Sequence, residues 1–210
     1  MPKSFVMLSL QTEFFEDKSV FRKKALEYRK SLSTQKKAEM DGAIVRELLT
    51  FDNVKSAETV LMFSPIKGEP DIMPVAKELI ARGIQVAFPI SHPDTLTLDF
   101  RCVSSTEQLS VGAYGISEPP ADAPKVTSTR GTVCLVPALM FDKYGMRIGY
   151  GKGYYDRFLA ETHVYTIGIT YRELVKDMLP CEQTDIPVDL IITESGVILP
   201  DEKATTEHDK

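Results

Sequence analysis

Apolar residues along this chain recur at two spacings, and the spacing switches several times. From Asp17 to Leu32, the residues Phe21, Ala25, Tyr28 and Leu32 fall on one helical face, and Asp17 or Ser19 can cap the start. On another face Lys18, Arg22 and Arg29 form a basic stripe whose remaining member is Leu26. A stripe of this kind is ordinarily a solvated face. A second helix is predicted from Thr34 to about Phe51, with Ile44, Val45, Leu48 and Leu49 inward.

The period then changes. "ETVLMFSP" reads as a short buried strand closed by Pro65, and "IKGEPD" as a loop. A third helix follows, capped by Asp71, buried through Ile72, Val75, Leu79 and Ile80, and ended by Gly83. "IQVAFP" is a strand and "LTLDFRCV" alternates like a half-exposed one. "SVGAYGISEPPADAP" is a surface loop by composition, with Tyr114 set between two glycines. "TVCLVPALMF" predicts a central strand, "YYDRFLAE" opens a helix, "VYTIGIT" is a strand, and "DLIITESGVIL" supplies the last one or two. Strands alternating with helices predict a single-domain, three-layer α/β sandwich with a mostly parallel, Rossmann-like central sheet over 17–199. In such sheets ligands sit beyond the carboxyl ends of the strands.

Composition narrows the picture. The chain has 210 residues and is 43% hydrophobic, enough for one domain with a substantial core. Its 25 basic and 30 acidic residues leave a net charge of −5, which argues against a general nucleic-acid or anionic-membrane binder. Cys102, Cys134 and Cys181 are scattered without metal-ligand spacing and read as reduced core or surface thiols. No apolar run approaches the ~20 residues of a membrane span. A cytoplasmic protein is expected, with a leader over 1–16 and a polar tail over 200–210.

The densest chemistry lies in "GYGKGYYDR", Gly149 to Arg157, directly after a buried apolar run. Glycine permits positive φ, so successive amides can converge on an anion, and a following helix adds its unpaired N–H groups. Lys152 sits inside the loop and Arg147 precedes it. A phosphate cradle is one reading; a tight strand-to-helix turn without ligand is the other. Regular motifs do not decide between them. Arg147 stands where a P-loop needs glycine, Gly153 where it needs Ser or Thr, and Tyr154 where a dinucleotide fingerprint needs its third glycine.

"VPALMFDKYGMRIGYGKGYYDRFL" resembles the signature of the 5-formyltetrahydrofolate cyclo-ligase family, and the resemblance extends from Lys18 to about Ile198. "KSVFRKKALEYRKSLS", "FSPIKGEPD", "GAYGISEP" and "DIPVDLIITESGV" stand in the family's order. The resemblance implies an enzyme that uses ATP and Mg²⁺ to close 5-formyltetrahydrofolate into 5,10-methenyltetrahydrofolate. A formamide oxygen leaves poorly, so in this family it is phosphorylated first; the N10 amine then attacks and phosphate departs. The protein's part is positioning and charge neutralisation.

Carried onto this chain, the resemblance assigns Arg147, Ile148, Gly149, Tyr150, Gly151, Lys152, Gly153 and Tyr154 to the nucleotide, joined by Lys18 and Arg22 on its phosphates. Tyr150, Gly151, Lys152, Gly153 and Tyr154 also border the folate. Lys152, Arg147 and Tyr154 are implied as catalytic residues, and Asp156 and Asp189 as magnesium carboxylates. Glu69 is implied to face the pterin edge, with Ser64 near it, and Tyr114 to set its ring beside the folate. The chain departs from the family pattern at Leu26, Ile90, Ala138 and Thr184, outside the central loop. A catalytically silent folate- or nucleotide-binding relative is the alternative, separated by whether ADP is released. A sugar-phosphate isomerase on a similar sheet would also need phosphate contacts, but paired aspartates with Lys18 and Arg22 suit nucleotide and metal better.

Overall fold

The computed structural model describes residues 17–201; the expected leader over 1–16 and residues 202–210 of the expected tail lie outside the described residues. In chain order the elements are α1 (Lys18–Ser31), α2 (Thr34–Thr50), α3 (Asp52–Lys55), β1 (Thr59–Leu61), α4 (Met73–Ala81), β2 (Gln85–His92) and β3 (Thr97–Val103). There follow β4 (Ser110–Val111), β5 (Ser117–Glu118), β6 (Thr132–Pro137), β7 (Met140–Asp142), β8 (Arg147–Ile148) and α5 (Tyr154–Glu161). The chain closes with β9 (Tyr165–Ile169), β10 (Val175–Lys176), β11 (Leu190–Thr193) and β12 (Gly196–Ile198).

Seven strands form one sheet in the order β12-β11-β9-β6-β1-β2-β3. The inner five run parallel, and β3 and β12 are antiparallel edges. Period-2 alternation divides the core between the two faces. Val60, Val86 and Leu135 pack under α1, α2 and α4 with Ala25, Ile44, Leu48, Val75 and Leu79. Their neighbours Leu61, Ala87, Cys134 and Val136 pack with Leu159, Tyr155 and Phe158 of α5 on the other face. The layered, mostly parallel α/β architecture read from the sequence is the one observed. Among the described residues, no helix is long and apolar enough to cross a membrane.

Several elements differ from the sequence reading. The run expected as one central strand breaks at Pro137: β6 stays in the large sheet, whereas β7 joins a small sheet in the order β10-β7-β8. Proline ends the ladder because it has no N–H to donate. The α4 cap is also shifted. Ile72 occupies the cap position, and Asp71 reaches over it to accept from the Met73 N–H at 3.0 Å. The segment around Tyr114, expected as loop, forms the two-stranded ribbon β4–β5. Gly168 on β9 is required by packing, since a Cβ there would stand 2.6 Å from the Phe141 ring.

Candidate functional site

The glycine loop is built from both sides. Upstream, the β7–β8 hairpin is held by Asp142, whose Oδ1 accepts from the Tyr144 and Met146 N–H groups at 2.9 and 3.0 Å and whose Oδ2 accepts from the Leu179 N–H at 3.0 Å. Downstream, Gly153 caps α5 at φ 67°, and a Cβ there would stand 3.0 Å from the Arg157 guanidinium. That guanidinium donates to the Leu96 carbonyl at 2.8 Å and to the Lys152 carbonyl, which pins the loop's backbone. Arg22 Nε donates to the Gly149 carbonyl at 3.0 Å from the facing helix α1. The Lys152 ammonium, by contrast, is exposed and makes no ion pair or hydrogen bond among the described residues.

This loop forms one wall of a cleft of about 960 Å³ beyond the carboxyl ends of β1, β2 and β6, where Ser64, Ser91 and Pro137 line it. Lys18, Arg22, Ser64, Glu69, Tyr114, Asp156 and the whole run Arg147 to Tyr154 lie along this one cleft. Tyr114 and Tyr154 meet across it, hydroxyls 3.1 Å apart and rings edge to face with centroids at 6.3 Å. Tyr114 holds φ 57°, a left-handed conformation that turns its ring out of the β4–β5 ribbon. Ser64 Oγ donates to the Ser117 carbonyl at 2.5 Å and so belongs to the frame of the cleft.

Asp189 is the exception among the expected site residues. It precedes β11 at the amino end of the parallel strands, and its carboxylate accepts from the N–H and hydroxyl of Thr166 at 2.8 and 2.7 Å. It does not line the cleft, whereas Asp185 does. Asp185 Oδ2 is 2.7 Å from the Lys18 ammonium, which also meets Glu182 at 2.9 Å. Burial works to raise the Asp185 carboxyl, but Lys18 and the Glu182 N–H more than offset it, leaving it below its ordinary value. Burial likewise works to lower Lys18, and its two carboxylate partners hold it above its ordinary value.

Arg147 is 7% exposed, its guanidinium committed to the Ile186 carbonyl and to Asp156 Oδ1, the latter at 2.6 Å. Burial lowers its proton affinity, and the Asp156 charge opposes that. The side chain therefore orients Asp156 and does not project from the cleft wall. Asp156 Oδ2 and Asp185 Oδ1 take no hydrogen bond among the described residues. Two carboxylates with an oxygen each to offer, beside the glycine loop, match what Mg²⁺ asks of a protein. No group of three or more His, Cys, Asp or Glu is arranged as a metal site among the described residues, so such a cation would also draw on phosphate oxygens.

At the base of the cleft Glu69 is 3% exposed and accepts from the Ile66 N–H at 3.0 Å. Burial pushes its carboxyl up to about 7, against the pull of Arg29. Arg29 was placed by spacing on a solvated stripe, yet it is 4% exposed. No local signal distinguishes it from its neighbours; the burial comes from the chain folded over it. Asp185 opens "DIPVDLIITESGV" and Arg157 closes "GYGKGYYDR", but nothing in either segment marks these two residues for a role at the site. Of the four departures from the family pattern, Ala138 is buried at the strand end and Leu26 packs against the core.

Residues 15–194 match the 5-formyltetrahydrofolate cyclo-ligase family. The chain is 31% identical to the 5-formyltetrahydrofolate cyclo-ligase of Escherichia coli K12 over 80% of its own length and 96% of that protein's. It superposes on the NMR structure of Aquifex aeolicus 5,10-methenyltetrahydrofolate synthetase with a TM-score of 0.77 and 32% identity, covering 91% of this chain and 96% of that one. The Mycoplasma pneumoniae 5,10-methenyltetrahydrofolate synthetase gives a TM-score of 0.70 at 28% identity, covering 85% and 99%.

Proposed function

This chain belongs to the 5-formyltetrahydrofolate cyclo-ligase family and is a ligase that cyclises 5-formyltetrahydrofolate to 5,10-methenyltetrahydrofolate; from that premise we propose that ATP and Mg²⁺ serve the closure in the cleft under Lys152. The observation that carries the proposal is the loop itself: a glycine-rich backbone pinned from both sides, with an ammonium that has no partner among the described residues, facing Lys18 and Arg22.

The amide N–H groups of Gly149 to Gly153 receive phosphate oxygens, with Lys18 and Arg22 beside them. The Lys152 ammonium neutralises charge on the phosphoryl group as it passes to the formyl oxygen. The N10 amine then attacks the formyl carbon and loses its proton to solvent, the C–O bond breaks, and phosphate leaves where water would not. Glu69 accepts from the pterin N–H edge, and Tyr114 and Tyr154 frame the flat ring system. Arg147 acts by orienting Asp156. Asp156 and Asp185 would hold Mg²⁺, which supplies charge neutralisation on the phosphates. Ile148 is buried behind the loop, and its role is to seat the backbone.

The same reading takes the protein as a monomer acting on a small molecule, and the net charge of −5 argues against a general nucleic-acid partner. A cytoplasmic setting belongs to the same reading. The test is the methenyl absorbance formed from 5-formyltetrahydrofolate with and without ATP and Mg²⁺. Product only with both present is the expected result. No product with both present, or equal product without ATP, overturns the proposal.

A further inference from the structure

Three segments that line the cleft converge on one side chain that does not. Arg29 of α1 sends Nη2 to the Ala138 carbonyl at 2.6 Å, at the corner where β6 ends. Its Nη1 lies 3.5 Å from the Tyr150 hydroxyl in the glycine loop and 3.9 Å from Glu69 Oε1. The two side chains of the Arg29–Glu69 pair are 1% and 3% exposed. Burying a guanidinium is costly, and here Nε is left without a hydrogen bond. An apolar side chain would fill this position more cheaply if packing were its only task.

We propose that Arg29 is a positioning residue for the folate site, keeping Glu69 a carboxylate acceptor for the pterin N–H edge while holding the Tyr150 hydroxyl and the Ala138 corner in register with it. This rests on the functional reading above, in which Glu69 meets the pterin. Glu69 is faced by Arg29, by Lys67, whose ammonium also lies 4.8 Å from the centre of the Tyr150 ring, by the phenols of Tyr150 and Tyr155, and by the Ile66 N–H. Of these, Arg29 opposes the effect of burial most strongly. A protonated Glu69 would present a hydroxyl to a pterin N–H donor and lose one of the two bonds a carboxylate accepts. Removing the Arg29 charge therefore weakens folate binding at neutral pH, and raising the pH restores it. Loss of packing alone would weaken binding equally at every pH.

Calorimetric titration of 5-formyltetrahydrofolate into nucleotide-free protein between pH 5.5 and 9 separates these cases, with wild type, Arg29→Met, Arg29→Lys and Glu69→Gln compared. Wild-type affinity should fall as the pH drops through about 7. Arg29→Met should bind about tenfold or more weakly at neutral pH, with its midpoint moved upward by at least ~1 pH unit and most of the affinity regained at the alkaline end. Arg29→Lys, which keeps the charge but not the fork, should fall between. A loss in Arg29→Met of the same factor at every pH overturns the proposal. If that variant does not fold, Arg29→Gln takes its place: an unshifted midpoint there, or an undiminished pH dependence in Glu69→Gln, overturns it. Wild-type protein that binds no 5-formyltetrahydrofolate at any pH defeats the functional reading and this inference with it. Wild-type binding with an unshifted midpoint in the charge-removing Arg29 variant defeats this inference alone.

Discussion

Lys18 and Asp185 meet at 2.7 Å although 167 positions separate them in the chain. The contact brings the start of α1 to the segment before β11 and puts a carboxylate in the cleft beside Asp156. Asp185→Ala should therefore raise the Mg²⁺ concentration for half-maximal turnover by about tenfold or more, the scale set by losing one of two carboxylate ligands. Asp189→Ala should leave that requirement unchanged and lower only the melting temperature, because its bonds go to Thr166. A magnesium titration of both variants checks the pair. The opposite pattern would return Asp189 to the site.

Lys152→Ala should separate chemistry from folding. The side chain is exposed and bonds to nothing among the described residues, so thermal unfolding should match wild type. The rate of closure should fall roughly 10²- to 10³-fold, the usual effect of removing one preorganised charge from a developing anion. A near-normal rate would remove Lys152 from the phosphoryl path.

Glu69 makes stability depend on pH in a known direction. Its carboxyl is raised by burial from the ordinary 4.5 to about 7, so between these values the folded chain holds a proton that the unfolded chain has released. Stability from this group is thus intact below pH 4.5 and declines as pH rises toward 7, by at most ~3 kcal/mol. Glu69→Gln should unfold at a higher temperature than wild type at pH 8 and show no such advantage at pH 5. Melts at the two pH values check the ordering.

Asp142 is 1% exposed and satisfies three backbone N–H groups in the hairpin that delivers Arg147. Asp142→Ala leaves all three without their acceptor, an expected loss of ~3 kcal/mol or more. Urea denaturation measures it. Asp142→Asn should lose less, since one oxygen still accepts.

Much of this could be read from local pattern. The switch between helical and strand spacing marks α1, α2, α4 and the five parallel strands, because burial on one face imposes the period of the backbone. Glycines around Lys152 mark the loop for a similar reason: positive φ at Gly151 and Gly153 is a property of single residues. Pro137 ends the ladder of β6, although the apolar run "ALMF" behind it reads as a continuation of the same strand.

The sequence by itself determined the layered α/β sandwich, the place of the glycine loop at the strand ends and the family signature, all of which are spelled out in residues near one another in the chain. Only the tertiary structure decided that Asp185 and not Asp189 faces the cleft, that Arg147 is bound to Asp156, and that Arg29 is buried beside Glu69. Four residues of non-helical chain can span up to ~13 Å, enough to move from the cleft to the far end of a strand. Burial of a side chain such as Arg29 depends on distant segments closing over it, and no spacing within a helix records which segments those are.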